Sequence, residues 1–117
     1  MKNTISLKNN TDFKNVYSKG RKDTKANKYL IMYKIGNDLA INRLGISVSK
    51  KVGNSVVRHH MTRLIRESYR LHEQVFNSGL DIVVVVKPSA RECTYWEIES
   101  ALLHLAKLHG ISSSEAN

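Results

Sequence analysis

Cysteine, proline and long apolar runs are all scarce in this 117-residue chain. The single cysteine, Cys93, excludes a disulfide framework and fits a reducing compartment. The single proline, Pro88, marks no linker, and no internal repeat or low-complexity tract divides the sequence. The longest apolar run, Ile82 to Val86, is far too short to cross a bilayer. Met1 is followed by Lys2 and polar residues rather than an apolar signal core, so a soluble cytoplasmic protein is expected. Acidic side chains are scarce too: ten Asp and Glu face nineteen Lys and Arg, a formal charge of +9. Hydrophobic residues make up 41%, enough for an ordinary domain to fold unaided. One domain over residues 1–110 is expected, with 111–117 as a flexible polar tail.

The charge is unevenly spread. Residues 1–70 carry sixteen basic and four acidic side chains, whereas 71–117 carry three and six. The first part is therefore +12 and the remainder −3. That asymmetry fits one surface built for phosphates and another facing elsewhere. No stretch pairs a basic face with exposed Trp, Phe and Leu, as a membrane-surface helix would.

Asn9-Asn10-Thr11-Asp12 reads as the start of a short helix carrying Phe13, Val16 and Tyr17, closed by Gly20. Lys19 to Lys28 reads as a basic loop. Tyr29 to Ile35 has strand composition, followed by a turn at Gly36-Asn37-Asp38. Between Arg43 and Lys50, Leu44, Ile46 and Val48 alternate with Gly45, Ser47 and Ser49. One face is thus core, and the other is small, polar and open to a large partner. Asn54 or Ser55 caps a helix over about Val56 to Phe76, ended by Asn77-Ser78-Gly79. Leu80 to Lys87 is continuously apolar apart from Asp81 and reads as a strand buried on both faces. Thr94 and Glu97 form a capping box before a final helix that stops at Gly110.

The central helix carries the functional signal. At about 100 degrees per residue, with Arg58 at zero, Val57, Met61, Leu64, Ser68, Leu71 and Val75 fall between roughly 220 and 300 degrees. Arg58, His59, Thr62, Arg63, Arg66 and Arg70 fall between roughly 0 and 140 degrees. A merely solvated face mixes Glu with Lys, whereas here arginine dominates, the side chain suited to forked phosphate contacts. Lys50 and Lys51 precede the helix N-terminus, whose free N–H groups and dipole favour phosphate. Phe13, Tyr17 and Tyr33 supply rings on which unpaired bases could stack beside a basic groove, although each alone also suits a core.

Enzyme chemistry finds little support in the side chains. Adjacent His59 and His60 point about 100 degrees apart on a helix, and no Cys or carboxylate cluster joins them. His72-Glu73 lacks the second histidine of H-E-x-x-H, and no nucleophile elbow or P-loop occurs. Ser49 and Lys50 would point to opposite faces of a strand. No acid cluster serves two-metal nuclease chemistry. A DNA-binding helix-turn-helix needs a helix closely before the recognition helix, where this sequence has a strand.

The block Leu44-Gly45-Ile46-Ser47-Val48-Ser49-Lys50-Lys51-Val52-Gly53-Asn54-Ser55-Val56-Val57-Arg58, with Arg63-Leu64-Ile65-Arg66-Glu67, resembles the bacterial ribonuclease P protein subunit. The resemblance extends to Asp12-Phe13, Tyr17, Gly20, Asn27-Lys28, Leu80 to Val86 and Lys87-Pro88. It implies an α/β (α+β) two-layer sandwich, three helices on a sheet of about four strands, with a left-handed crossover through the central helix. The fourth strand would lie within residues 21–27. The resemblance also implies a subunit of an endoribonuclease whose RNA performs the hydrolysis, with Mg²⁺ held through that RNA and no catalytic protein side chain. Implied partners are the catalytic RNA and the single-stranded 5′ leader of precursor tRNA, with no membrane and no obligate protein partner. Contacts to the catalytic RNA map to Lys50, Lys51, Asn54, Arg58, His59, Arg63, Arg66 and Arg70. The leader maps to Phe13, Tyr17 and Tyr33, with Ser47 and Ser49 beside them. His59, His60 and Thr62 depart from the family's basic run, and the two histidines would make RNA affinity more pH-sensitive between pH 6 and 8. The alternative is another basic RNA-binding module, such as a ribosomal protein.

Overall fold

The computed structural model describes residues 2–111, apart from the side chain of Val75. The elements are β1 (Thr4–Ser6), α1 (Asn10–Lys19), β2 (Lys25–Ala26), β3 (Leu30–Gly36), β4 (Asn42–Val48), α2 (Ser55–Leu71), β5 (Leu80–Val86) and α3 (Tyr95–Leu108). The strands form one mixed sheet in the order β1-β4-β5-β3-β2. β4 is parallel to β1 and β5, while β3 is antiparallel to β5 and β2. The mixed α+β architecture is the expected one, with a fifth strand added.

β2 lies inside residues 21–27, where the fourth strand is expected; β1 is the addition. Three residues are too short to show alternation, so β1 exists through distant partners. Its backbone pairs with Asn42, Arg43 and Leu44. The Glu73 carboxylate accepts the N–H groups of Lys2 and Asn3 at 2.7 and 2.9 Å, fixing the approach to β1.

Helix ends follow the capping chemistry. The Asn9 side chain accepts from the N–H groups of Thr11 and Asp12, and that of Asn54 accepts from Val57. Thr94 and Glu97 close the expected capping box. α2 ends at Leu71 rather than Phe76, because a 3-10 turn at Glu73–Val75 redirects the chain. That turn brings the Phe76 ring to 4.8 Å from Tyr69 in the core.

The main core lies between the sheet and the layer of α2 and α3. Leu30, Met32, Leu44, Ile82, Val84 and Val86 meet Met61, Ile65, Tyr69, Ile98, Leu102 and Leu105. β5 is buried on both faces as expected, since Val83 packs on the other side against Val16 of α1. α2 is rotated from the orientation its apolar stripe predicts. Its buried residues are Met61, Ile65, Ser68 and Tyr69, whereas Leu71 is 47% exposed and Val57 and Leu64 are only partly buried. The cause is Tyr69, whose hydroxyl meets Thr4 at 2.8 Å and accepts from the Asn42 amide at 3.1 Å. Arg58 and Thr62 are thereby carried to the margin of the buried face. Val75, placed on the apolar stripe from sequence, lies outside the described side chains.

Ile111, assigned to the flexible tail from sequence, belongs to the domain. It is 4% exposed, its N–H donates to Ala106 and its carbonyl accepts from Asn77. The remainder of the expected tail, 112–117, lies outside the described residues.

Candidate nucleic-acid interface

The aromatic candidates lie on the α1 face of the sheet. Tyr33, Val83 and Gly45 form one row across β3, β5 and β4, and Ile31, Val85 and Ser47 form the next. α1 covers the first row. Its Val16 packs on Val83, and the Tyr17 ring meets Tyr33 edge-on at 4.9 Å. Phe13 is 6.3 Å from Tyr17 and sits over Gly45. The second row is only partly buried and forms a strip beside α1, floored by Ile31, Val85 and Ser47 and walled by the partly buried Phe13 and Tyr17. Three of the five leader candidates, Phe13, Tyr17 and Ser47, thus border one strip, and Tyr33 lies in the adjoining covered row, against Tyr17. Ser49, just past β4, is exposed at its end.

Gly45 corrects the expectation of a uniformly small, open strand face. It is buried, and a Cβ there would lie 2.6 Å from the Phe13 Cζ atom. A Gly45→Ala variant must therefore swing the Phe13 ring aside. The expected result is a stability loss of about 1–3 kcal/mol together with altered binding at the strip. Chemical denaturation and a leader-binding titration check both; an unchanged midpoint and affinity would contradict the packing described.

A buried ion pair holds this face in shape. Asp81 is 1% exposed, and its carboxylate accepts from Arg43 at 2.6 and 2.8 Å and from the Asn37 amide at 2.9 Å. Burial alone would raise its pKa, but the hydrogen bonds from Arg43 and Asn37 with the Arg43 charge hold it below the usual carboxylate value. Arg43 also reaches Asp12 at 3.3 Å, tying the start of α1 to the sheet.

The basic candidates lie across the sheet, on α2 and the turn before it. His59, Arg63, Arg66 and Arg70 are exposed and Arg58 is partly so. Among the described residues, only Arg70 of the α2 arginines has a carboxylate partner, Glu67 at 2.6 Å. Arg70 is thus half-neutralised, and its forked contact is already used. Thr62 donates its hydroxyl back to the Arg58 carbonyl at 3.0 Å, so it does not extend the basic run. Asn54 is exposed and spends its side-chain oxygen on the helix cap, so its amide N–H₂ is what it can offer a partner. Lys50 and Lys51 are exposed on the turn. That turn follows β4, where Ser47 faces the aromatic strip and Ile46 and Val48 face α2, so the two surfaces meet at one strand end.

Ile31 and Val85 of the strip, and Ile46 and Val48 under α2, are not legible as site residues from sequence. Each is an ordinary apolar strand residue until the register places it. Among the described residues, no group of three His, Cys, Asp or Glu side chains is arranged to hold a metal ion, and no helix is long and apolar enough to cross a membrane. Cys93 is half-buried, and burial pushes its thiol pKa up, away from nucleophilic reactivity.

The described residues form a five-stranded α+β domain with a basic helix on one sheet face and an aromatic strip on the other. The family model for ribonuclease P matches residues 1–109. The ribonuclease P protein component of Lachnoclostridium phytofermentans is 63% identical over 109 residues, covering 93% of this chain and 92% of that protein. The solved Staphylococcus aureus RNase P protein superposes with a TM-score of 0.83 at 35% identity, over 92% of this chain and 96% of that one. The Thermotoga maritima RNase P protein gives a TM-score of 0.80 at 28% identity, over 92% and 97%. The chain belongs to the ribonuclease P protein component family.

Proposed function

We propose that this chain is the cofactor of a catalytic RNA that removes the 5′ leader from precursor tRNA, binding the RNA subunit through α2 and the leader through the aromatic strip. The observation that carries this reading is the division of the surface: unpaired arginines on one side of the sheet, partly exposed rings on the other. Enzyme RNA and substrate are both polyanions and repel one another until the charge between them is screened. Lys50, Lys51, Arg58, Arg63 and Arg66 supply fixed positive charge there, lowering the Mg²⁺ the RNA must recruit. Hydrolysis belongs to the RNA and its Mg²⁺. Phe13, Tyr17 and Tyr33 stack on unpaired leader bases irrespective of sequence, while Ser47 and Ser49 hydrogen-bond backbone or base edges. The reaction takes place in the cytoplasm.

The test compares precursor tRNA with mature tRNA binding to the assembled protein–RNA enzyme. The leader-bearing substrate should bind more tightly, and Tyr17→Leu should remove on the order of tenfold of that preference. Affinity between the protein and the catalytic RNA should stay the same. A Tyr17→Leu enzyme that keeps the full preference would overturn the assignment of the strip to the leader.

A further inference from the structure

The geometry points to a pocket between α2 and the free edge of β4 that takes an unpaired nucleotide of the RNA partner, base against the strand and phosphate on the helix. This deepens the RNA-subunit assignment of α2 and rests on it. The groove has a volume of about 440 Å³. Its helix side is formed by Arg58, His59, Arg63 and Arg66, and its strand side by Ile46 and Val48, which the core leaves only partly buried.

Two features select an unpaired nucleotide over a duplex. A duplex backbone presents phosphate and sugar, which would engage the arginines and leave the apolar strand side unfilled; an unstacked base fills it. The second feature is the strand edge. β1 pairs with β4 only as far as Leu44, so among the described residues Ile46 and Val48 have no neighbouring strand on that side. The Asn42 N–H and the Leu44 carbonyl both point toward the β1 segment. By strand alternation the backbone groups of Ile46 and Val48 point the same way, where they offer a donor and acceptors to a base edge. Arginine above, apolar side chains below and a free strand edge beside them match the phosphate, the base face and the base edge of one nucleotide.

The test uses the full chain with labelled Ile and Val methyl groups, titrated with a short single-stranded RNA and with an RNA duplex at equal phosphate concentration. Ring-current shifts at the Ile46 and Val48 methyls with the single strand but not with the duplex are expected. Methyls that stay still with the single strand, or that respond equally to both, would overturn the proposal. In binding to the ribonuclease P RNA, Ile46→Val and Val48→Thr should each weaken affinity about fourfold without changing its salt slope. Arg63→Gln should instead flatten that slope by about one. Apolar variants that bind like wild type, or that flatten the slope, would also contradict it. If the methyls respond as described but the protein fails to stimulate the catalytic RNA, the functional reading fails and the pocket stands; stimulation with silent methyls gives the reverse.

Discussion

Replacing Arg58, Arg63 and Arg66 together by glutamine is expected to weaken binding of the ribonuclease P RNA by on the order of a hundredfold to a thousandfold. Each arginine is at least partly exposed on α2, and among the described residues none of the three has a carboxylate partner. Their charge is therefore available, and none must first be stripped from a salt bridge. Hydrogen bonds to charged groups contribute about 1.5–3 kcal/mol each, and the glutamine amide retains part of that. A net loss of about 1–1.4 kcal/mol per arginine, about 3–4 kcal/mol for the three, exceeds any effect expected from one ring of the strip. Glutamine keeps the stem and helix propensity, so the thermal midpoint should hardly move. The distinguishing readout is salt dependence: the slope of log affinity against log salt should fall by about two to three, one for each lost phosphate contact. Arg70→Gln should have a smaller effect, because Glu67 already holds that guanidinium. A triple variant that binds with wild-type affinity and slope would show that α2 is not the RNA-subunit surface.

The largest effect on stability is expected at Arg43. Arg43→Met leaves the Asp81 carboxylate buried without its forked partner, a change that typically destabilises by about 3–5 kcal/mol near neutral pH. Asp81 lies on central β5 and pairs with Arg43 across the β4–β5 register. It has little room to reach water. The pH dependence gives the sign. In the native protein the Asp81 pKa is depressed, so its stabilisation is fully present above the unfolded carboxylate value, near 3.9, and is lost as pH falls through the folded value. Without Arg43, burial dominates and raises that pKa, so the variant recovers stability as acid protonates Asp81. The difference between wild type and Arg43→Met should therefore shrink from pH 7 to pH 4 in urea titrations. A constant or growing difference would contradict the role assigned to the pair. Because Arg43 also reaches Asp12, the variant should loosen the start of α1 and the aromatic strip with it.

Elements whose cause is local are legible in the sequence. Asn9, Asn54 and the Thr94–Glu97 box mark helix starts because a cap bonds within three residues of itself. β5 reads as a central strand because Val83, unlike an edge residue, must be apolar on the second face as well. What depends on register is hidden. β1 is too short to carry a pattern and is held by Asn42 to Leu44 far along the chain. Tyr69 falls at roughly 20 degrees on the same wheel, beside the arginines rather than on the apolar stripe; Thr4 and Asn42 claim its hydroxyl, and that claim rotates the helix. The same rotation forms the nucleotide-sized groove, by turning Arg58 toward Ile46 and Val48. The basic residues are visible in the sequence because charge density needs no register. Their division into free and paired is not, since the Glu67–Arg70 contact depends on side-chain geometry. Gly45 is legible as a small strand residue, but its reason, the Phe13 ring above it, appears only when α1 is placed.

The most direct measurement mixes the folded protein with a bacterial ribonuclease P RNA at limiting Mg²⁺ and follows 5′ maturation of precursor tRNA. Cleavage should be strongly stimulated by the wild-type chain, and raised Mg²⁺ should progressively replace the protein, because both act by screening the same phosphates. Tight RNA binding without stimulation at any Mg²⁺ concentration would contradict the account and favour a structural RNA-binding module instead.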